Sequence, residues 1–191
     1  MRRELTKMAL EKLIKDGRIQ PAKIEEKVEE SRQELNKRIL ELGEAAAYEL
    51  GIVDLPKEIL QILGRLHFRT SYGQNVLAHS VEMAHLAGMM AAELNLNVEI
   101  AKKGALLHDL GKAIDHEVPG THVEIGRRLL KKYGVDERVI QAMEAHHEEY
   151  PYSIPEAFIV TAADVLSGAR PGARRDSLDH YFKRLTDLEK I

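Results

Sequence analysis

Nitrogen and oxygen side chains with ligand chemistry recur inside the most apolar stretches of this chain. His79 lies in Val76-Leu77-Ala78-His79-Ser80-Val81, His108 and Asp109 follow Gly104-Ala105-Leu106-Leu107, and Asp164 lies in Ile159-Val160-Thr161-Ala162-Ala163-Asp164. A buried imidazole or carboxylate without a partner costs several kcal/mol, so each of these needs an account. Singly, the accounts are ordinary: a core histidine bonded to its neighbours, or an aspartate that caps or pairs. Together, two imidazoles and two carboxylates from three separate apolar stretches supply borderline nitrogen and hard oxygen. That donor set suits Mn²⁺, Fe²⁺, Co²⁺, Ni²⁺ or Mg²⁺ and leaves positions for water and a phosphate oxygen.

The elements that would carry these residues read as helices throughout, with no strand alternation longer than a few residues. The fold class expected is all-α. Leu5, Met8, Ala9, Leu10 and Leu13 form a first short amphipathic helix stopped by Gly17, and Pro21 sits where a first helical residue is tolerated. A long second helix then runs to about Leu50. Its apolar positions, Ile24, Val28, Leu35, Ile39, Leu42 and Ala46, make a narrow seam on a polar rod, either packed along its own domain or paired with a second subunit. Further helices are expected near 57–65, 75–94, 97–108, 121–133, 136–147, 155–167 and 176–189, with Thr121 and Glu124 as a capping-box pair and Gly134 as a stop. The division expected is an N-terminal helical arm, 1–55, and a metal-binding helical domain, 56–191.

Composition narrows the chemistry. The 191 residues are 44% apolar and 31% charged, as in a globular protein rather than a disordered or collagen-like one. Cysteine is absent, which removes disulfides, thiolate zinc sites and thiol nucleophiles. A formal charge of -3 argues against nucleic acid being gripped over the whole surface, while leaving room for a local basic patch. No run of eighteen apolar residues is present, so no membrane span is expected in this chain.

The order His79, His108-Asp109, Asp164 resembles the signature of the HD superfamily of phosphohydrolases, over roughly residues 75 to 167. His108-Asp109-Leu110-Gly111-Lys112 resembles the extended form of its central motif. The resemblance implies an HD-domain helical bundle in which His79, His108, Asp109 and Asp164 hold one divalent ion. It implies a second ion bridged by Asp109 and held by His122 and His146, with His147 able to substitute. The alternative for His122 and His146, and more so for His147, is a helix-terminal histidine that caps or is partly exposed. A metal ion lowers the pKa of bound water toward neutrality, so the expected attack on phosphorus is by metal-held hydroxide, with no protein nucleophile. Asp109 and Lys112 are the expected catalytic residues, Lys112 by placing its ammonium on a phosphate oxygen or leaving group; complementing a helix C-terminus is the alternative for it.

Two segments flanking the ligands suit a polyanion. Arg69-Thr70-Ser71-Tyr72-Gly73-Gln74-Asn75 precedes the His79 helix, and Ser167-Gly168-Ala169-Arg170-Pro171-Gly172-Ala173-Arg174-Arg175 follows Asp164. Arg69, Asn75, Arg170, Arg174 and Arg175 are the expected phosphate contacts. The wording of both segments, with that of 108–117, resembles the HD region of the bacterial ribonuclease Y family. That resemblance implies a metal-dependent endoribonuclease acting on single-stranded RNA in mRNA turnover, a homodimer, and a cytoplasmic location. Complete members add a membrane anchor, a coiled coil and an RNA-binding KH domain, so the chain reads as a fragment or a reduced relative. Two other functions fit the same residues: hydrolysis of a small nucleotide, dinucleoside polyphosphate or cyclic dinucleotide, and a dimerisation or scaffold role for the 21–50 helix.

Overall fold

A computed structural model describes residues 1–170, 172–173 and 186. Eight helices are present among them: α1 (Arg2–Asp16), α2 (Pro21–Glu49), α3 (Lys57–Arg65), α4 (Val76–Glu93), α5 (Val98–Leu107), α6 (His122–Lys132), α7 (Glu137–Glu144) and α8 (Pro155–Ala169). The fold is all-α, with one small exception that periodicity does not register. Thr70–Ser71 (β1) and Gln74–Asn75 (β2) form a two-residue antiparallel ladder between α3 and α4. The helix expected at 176–189 lies outside the described residues, as do Arg174 and Arg175.

Short polar side chains start four of the helices by accepting from main-chain N–H groups that lack an intrahelical partner. Asn75 Oδ1 accepts from Ala78, Asn97 Oδ1 from Ile100, Thr121 Oγ1 from Glu124 and Asp136 Oδ1 from Arg138. Two expected helices end early. α5 stops at Leu107 rather than 108, and α7 stops at Glu144 rather than 147, so His108, His146 and His147 stand in the turns that follow.

The apolar faces meet around α4. Its Met83, Ala84, Ala87 and Ala91 are fully buried against α5 and α8, and α7 closes the far side with Ile140 and Met143. Small residues at the crossings let the helices approach closely enough for groups on different helices to share one site.

The N-terminal section packs α2 against α1 and α3. Leu35 and Ile39 of α2 are 4% and 1% exposed within the single chain, while Ile24 of the same seam is exposed. At the α2–α3 crossing Gly43 faces Gly64, and a Cβ on Gly43 would lie 1.9 Å from the Leu60 carbonyl oxygen. Only hydrogen fits there. Gly43→Ala is expected to lower unfolding free energy in urea titration by about 2 kcal/mol or more, the upper half of the usual range for overpacking, because backbone must yield. An unchanged midpoint would contradict this packing.

Candidate metal centre

Each of the four central candidate ligands owes its position to a turn of α4 or α8 or to the end of α5. His79 lies in the first turns of α4, with Val76 and Leu77 beside it in the core. Asp164 projects from α8 one turn beyond Val160, which is fully buried. His108 continues the helical backbone for one residue past α5, while Asp109 departs from it at φ -99, ψ 11 and starts a 3-10 turn, Leu110–Ala113. Adjacent residues thus aim differently and still converge.

Gly111 brings in the second group of histidines. A Cβ on it would lie 2.0 Å from the carbonyl oxygen of His122, the first residue of α6. This contact sets the 3-10 turn directly on the α6 N-terminus and leaves His122 Nε2 3.5 Å from Asp109 Oδ1. The other carboxylate oxygen, Oδ2, lies 3.3 Å from His108 Nε2 and 2.8 Å from Lys112 Nζ. Asp109 therefore offers one oxygen to each side. His146 fits between, its ring 5.1 Å from that of His108 and 5.6 Å from that of His122. His147 is exposed and lies at the rim, 5.0 Å from His122.

Tautomers are largely dictated by the surroundings. Nδ1–H of His108 donates to the Ala105 carbonyl at 2.8 Å and that of His146 to the Met143 carbonyl at 2.5 Å, so both Nε2 lone pairs face inward. His79 is set differently. Its Nδ1 lies 2.9 Å from Ser167 Oγ, and the Ser167 hydroxyl donates to Glu82 at 3.0 Å, so the serine oxygen accepts from Nδ1–H. Nε2 of His79 is then left facing Asp164 Oδ1 at 3.1 Å. A lone pair against an ionised oxygen repels unless a proton or a cation lies between them. Roughly 3 Å is also the edge between neighbouring ligands on an octahedral ion with bonds near 2.1 Å.

Charge and burial favour the ligand form of His122, His146, Asp109 and Asp164, while His108 is drawn toward its charged form by Asp109. Burial, with the neighbouring charges of Lys112, His147 and His108, lowers the His122 pKa to about 4, and burial with His108 lowers that of His146 to about 3. Both are neutral donors at pH 7. Burial works against ionisation of Asp164, yet the imidazoles around it, His79 foremost, hold its pKa at about 2. Burial likewise opposes charge on Asp109 and His108, and their mutual attraction overrides it, depressing the carboxyl and raising the imidazole.

Donor chemistry and orphaned atoms show that the residues fit divalent ions. One ligand atom from each member lies within 4.8 Å of the others in three groups among the described residues: His79, His108, Asp164; His108, Asp109, His146; and His122, His146, His147. Asp109 Oδ1, His122 Nε2 and His146 Nε2 are buried and lack a hydrogen-bond partner. Each such atom costs roughly 1–3 kcal/mol unless something satisfies it. The cleft above them, ≈ 430 Å³, is also lined by Ser71, Tyr72, Gln74 and Lys112.

Three residues expected at the substrate phosphate have partners within the chain. Both oxygens of Asp115 accept from Arg69 at 2.8 Å, so the guanidinium is neutralised and anchors the segment before α4. Asn75 caps α4 and donates to the His67 carbonyl at 2.7 Å. Arg170 forks onto Glu82 at 2.6 and 2.9 Å. Glu82 and Ser167, which hold His79 from behind, were not among the site residues expected from sequence. The available signal was helical spacing: Glu82 is three residues from His79 and Ser167 three from Asp164, each on the same helix face as a ligand.

A helical bundle in which His79, His108-Asp109 and Asp164 converge defines a class, and residues 76–169 match the family model described as HD domain; the chain carries an HD domain. Over its whole length it is similar to proteins named Ribonuclease Y. Identity is 58% to that of Symbiobacterium thermophilum, 56% to that of Thermoanaerobacter pseudethanolicus and 56% to that of Enterococcus faecalis, in each case over all of this chain. The chain spans 37% of the first and third of these relatives and 38% of the second. No solved structure matches it. No helix among the described residues is long and apolar enough to cross a membrane.

The Glu82–Ser167–His79 relay gives a measurable expectation. Glu82→Gln and Ser167→Ala should each weaken divalent-metal affinity by about 10–100-fold in isothermal titration, as loss of a partner behind a ligand does elsewhere. Affinity equal to that of the parent chain would remove the relay from the site.

Proposed function

We propose that this chain is the catalytic HD region of a metal-dependent endoribonuclease that cuts single-stranded RNA in mRNA turnover. The observation carrying the proposal is Asp109, a buried carboxylate whose two oxygens face two histidine groups, in a chain 58% identical over its full length to a ribonuclease Y. In this reading His79, His108, Asp109 and Asp164 hold one ion, and Asp109, His122 and His146 a second, with His147 at the rim. Bound there, divalent ions supply Lewis acidity toward the phosphoryl oxygens and bring the pKa of water toward neutrality.

The chain's own residues do the rest. Neutral His122 and His146 present lone pairs without first losing a proton at pH 7. The Asp109 and Asp164 carboxylates offset the charge of the cations they hold. Lys112 is the mobile cation of the cleft: its ammonium rests on Asp109 Oδ2 and has the reach to meet a phosphate oxygen or a departing alkoxide. A cytoplasmic setting and a second copy of the chain belong to the same proposal. Association would use a surface other than the buried Leu35–Ile39 seam.

The deciding experiment compares single-stranded RNA, a cyclic dinucleotide and a dinucleoside polyphosphate as substrates for the Mn²⁺-loaded chain. RNA is expected to be cut with the highest kcat/KM. Asp109→Ala should abolish hydrolysis and reduce bound metal in elemental analysis. Preference for either nucleotide would move the proposal to small-nucleotide hydrolysis, and full activity in Asp109→Ala would end it.

A further inference from the structure

The two sides of the metal centre are carried differently. His79 and Asp164 stand on α4 and α8 and His108 at the end of α5, three helices whose apolar faces pack on one another in the core. His122 and His146 stand instead at the start of α6 and in the turn after α7. Val123, Ile125 and Leu130 seat α6 on α7 and on the 3-10 turn, and all three are buried. The turn that carries His146 has no such seat. Among residues 146–153 only His146 is buried, so apolar packing does not fix the path of the chain there.

Side chains of α6 supply what packing does not. Arg127 Nε donates to Glu144 Oε2 at 2.6 Å, and the same guanidinium lies 4.8 Å from the centre of the Tyr150 ring. Glu144 is the last residue of α7, and Tyr150 lies three residues beyond His147, so one planar cation grips the chain on both sides of the histidine pair. Glu144 is buried, which leaves its attraction to Arg127 little screened by water. Thr121, the residue before His122, adds an exposed tie by donating from Oγ1 to Glu149 Oε2 at 2.7 Å. Neither partner of Arg127 belongs to α4, α5 or α8.

We propose that Arg127 is a positioning residue that sets the affinity of the second ion alone, by holding the His146–His147 turn against the helix that carries His122. This rests on the reading of the centre as a two-ion site and adds to it a means of adjusting one ion without the other. Ligand atoms must be held to within about 0.5 Å of their working geometry. Between His122 and His146 that tolerance is met through Arg127, whereas His79, His108 and Asp164 are set by the core. Loosening of the whole bundle would weaken both ions. Loss of the Arg127 grip weakens one.

The test is Mn²⁺ titration calorimetry on the full chain, with the binding events assigned by reference variants: His122→Ala removes one event and Asp164→Asn the other. Arg127→Met combined with Glu144→Gln removes the grip without leaving a buried charge unpaired. The double variant is expected to weaken the His122 event by about tenfold or more, the scale of losing a partner behind a ligand. Its Asp164 event should stay within about twofold of the parent, as for sites that share no partner. Tyr150→Leu leaves the ion pair in place and should weaken the same event by a smaller factor, which keeps the test open should the double variant unfold. Electron paramagnetic resonance gives an independent reading: the signal of two coupled Mn²⁺ ions should fade in the double variant at limiting Mn²⁺ and return at excess. Unchanged affinities in both variants, or equal loss at both events, would overturn the inference and leave the two-ion reading intact. A single binding event in the parent chain would sink the two-ion reading, and this inference with it.

Discussion

A carboxylate only 2% exposed, that of Asp109, is the constraint around which this bundle is arranged. Ionised groups leave water only when countercharge and donors replace it; His108 and Lys112 supply these to one oxygen of Asp109, while neutral His122 and His146 approach from the other side. His108 arrives with the preceding residue, Lys112 from the following turn, His122 from the start of α6 and His146 from the turn after α7. The positions of several helix ends follow from that convergence. α5 stops at Leu107 so that Asp109 can leave the helical path, and α6 begins at His122 against a glycine that lets the two backbones touch.

The same electrostatic demand extends outward from His79. Its ring is held by a serine hydroxyl that is itself oriented by Glu82, and Glu82 is in turn held ionised by the Arg170 fork, with smaller help from Ser167 and His79. α4 and α8 are thereby cross-linked by polar contacts at the place where their apolar faces give way to the cleft. An arginine expected to meet substrate instead stabilises the group behind a ligand. Its charge is used, but one layer further in.

Helical periodicity made the all-α class and most element positions legible, because burial on one face repeats every three or four residues whatever the function. The convergence of four candidate ligands was legible for a different reason. His79, His108, Asp109 and Asp164 interrupt apolar runs, and such interruptions are costly enough to need explaining. Early ends of α5 and α7 were not legible, since the histidines that end them keep helix-like spacing in the sequence. The hairpin at 70–75 is too short for alternation to show. The partners of Arg69 and Arg170 were not legible, because a basic residue near a motif carries no sign of them. Asp115 and Glu82, their partners, are 46 and 88 positions distant in the chain.

The way the imidazoles are fixed has a consequence for tuning. His108 and His146 are oriented by main-chain carbonyls three residues upstream, which every amino acid at those positions would supply equally. Their basicity is consequently insulated from drift in sequence. His79 alone among the three leans on side chains, Ser167 and Glu82, which substitution can alter. Of these three imidazoles, two take their orientation from the backbone, and only His79, on the α4–α8 side, can be retuned by exchanging a partner side chain.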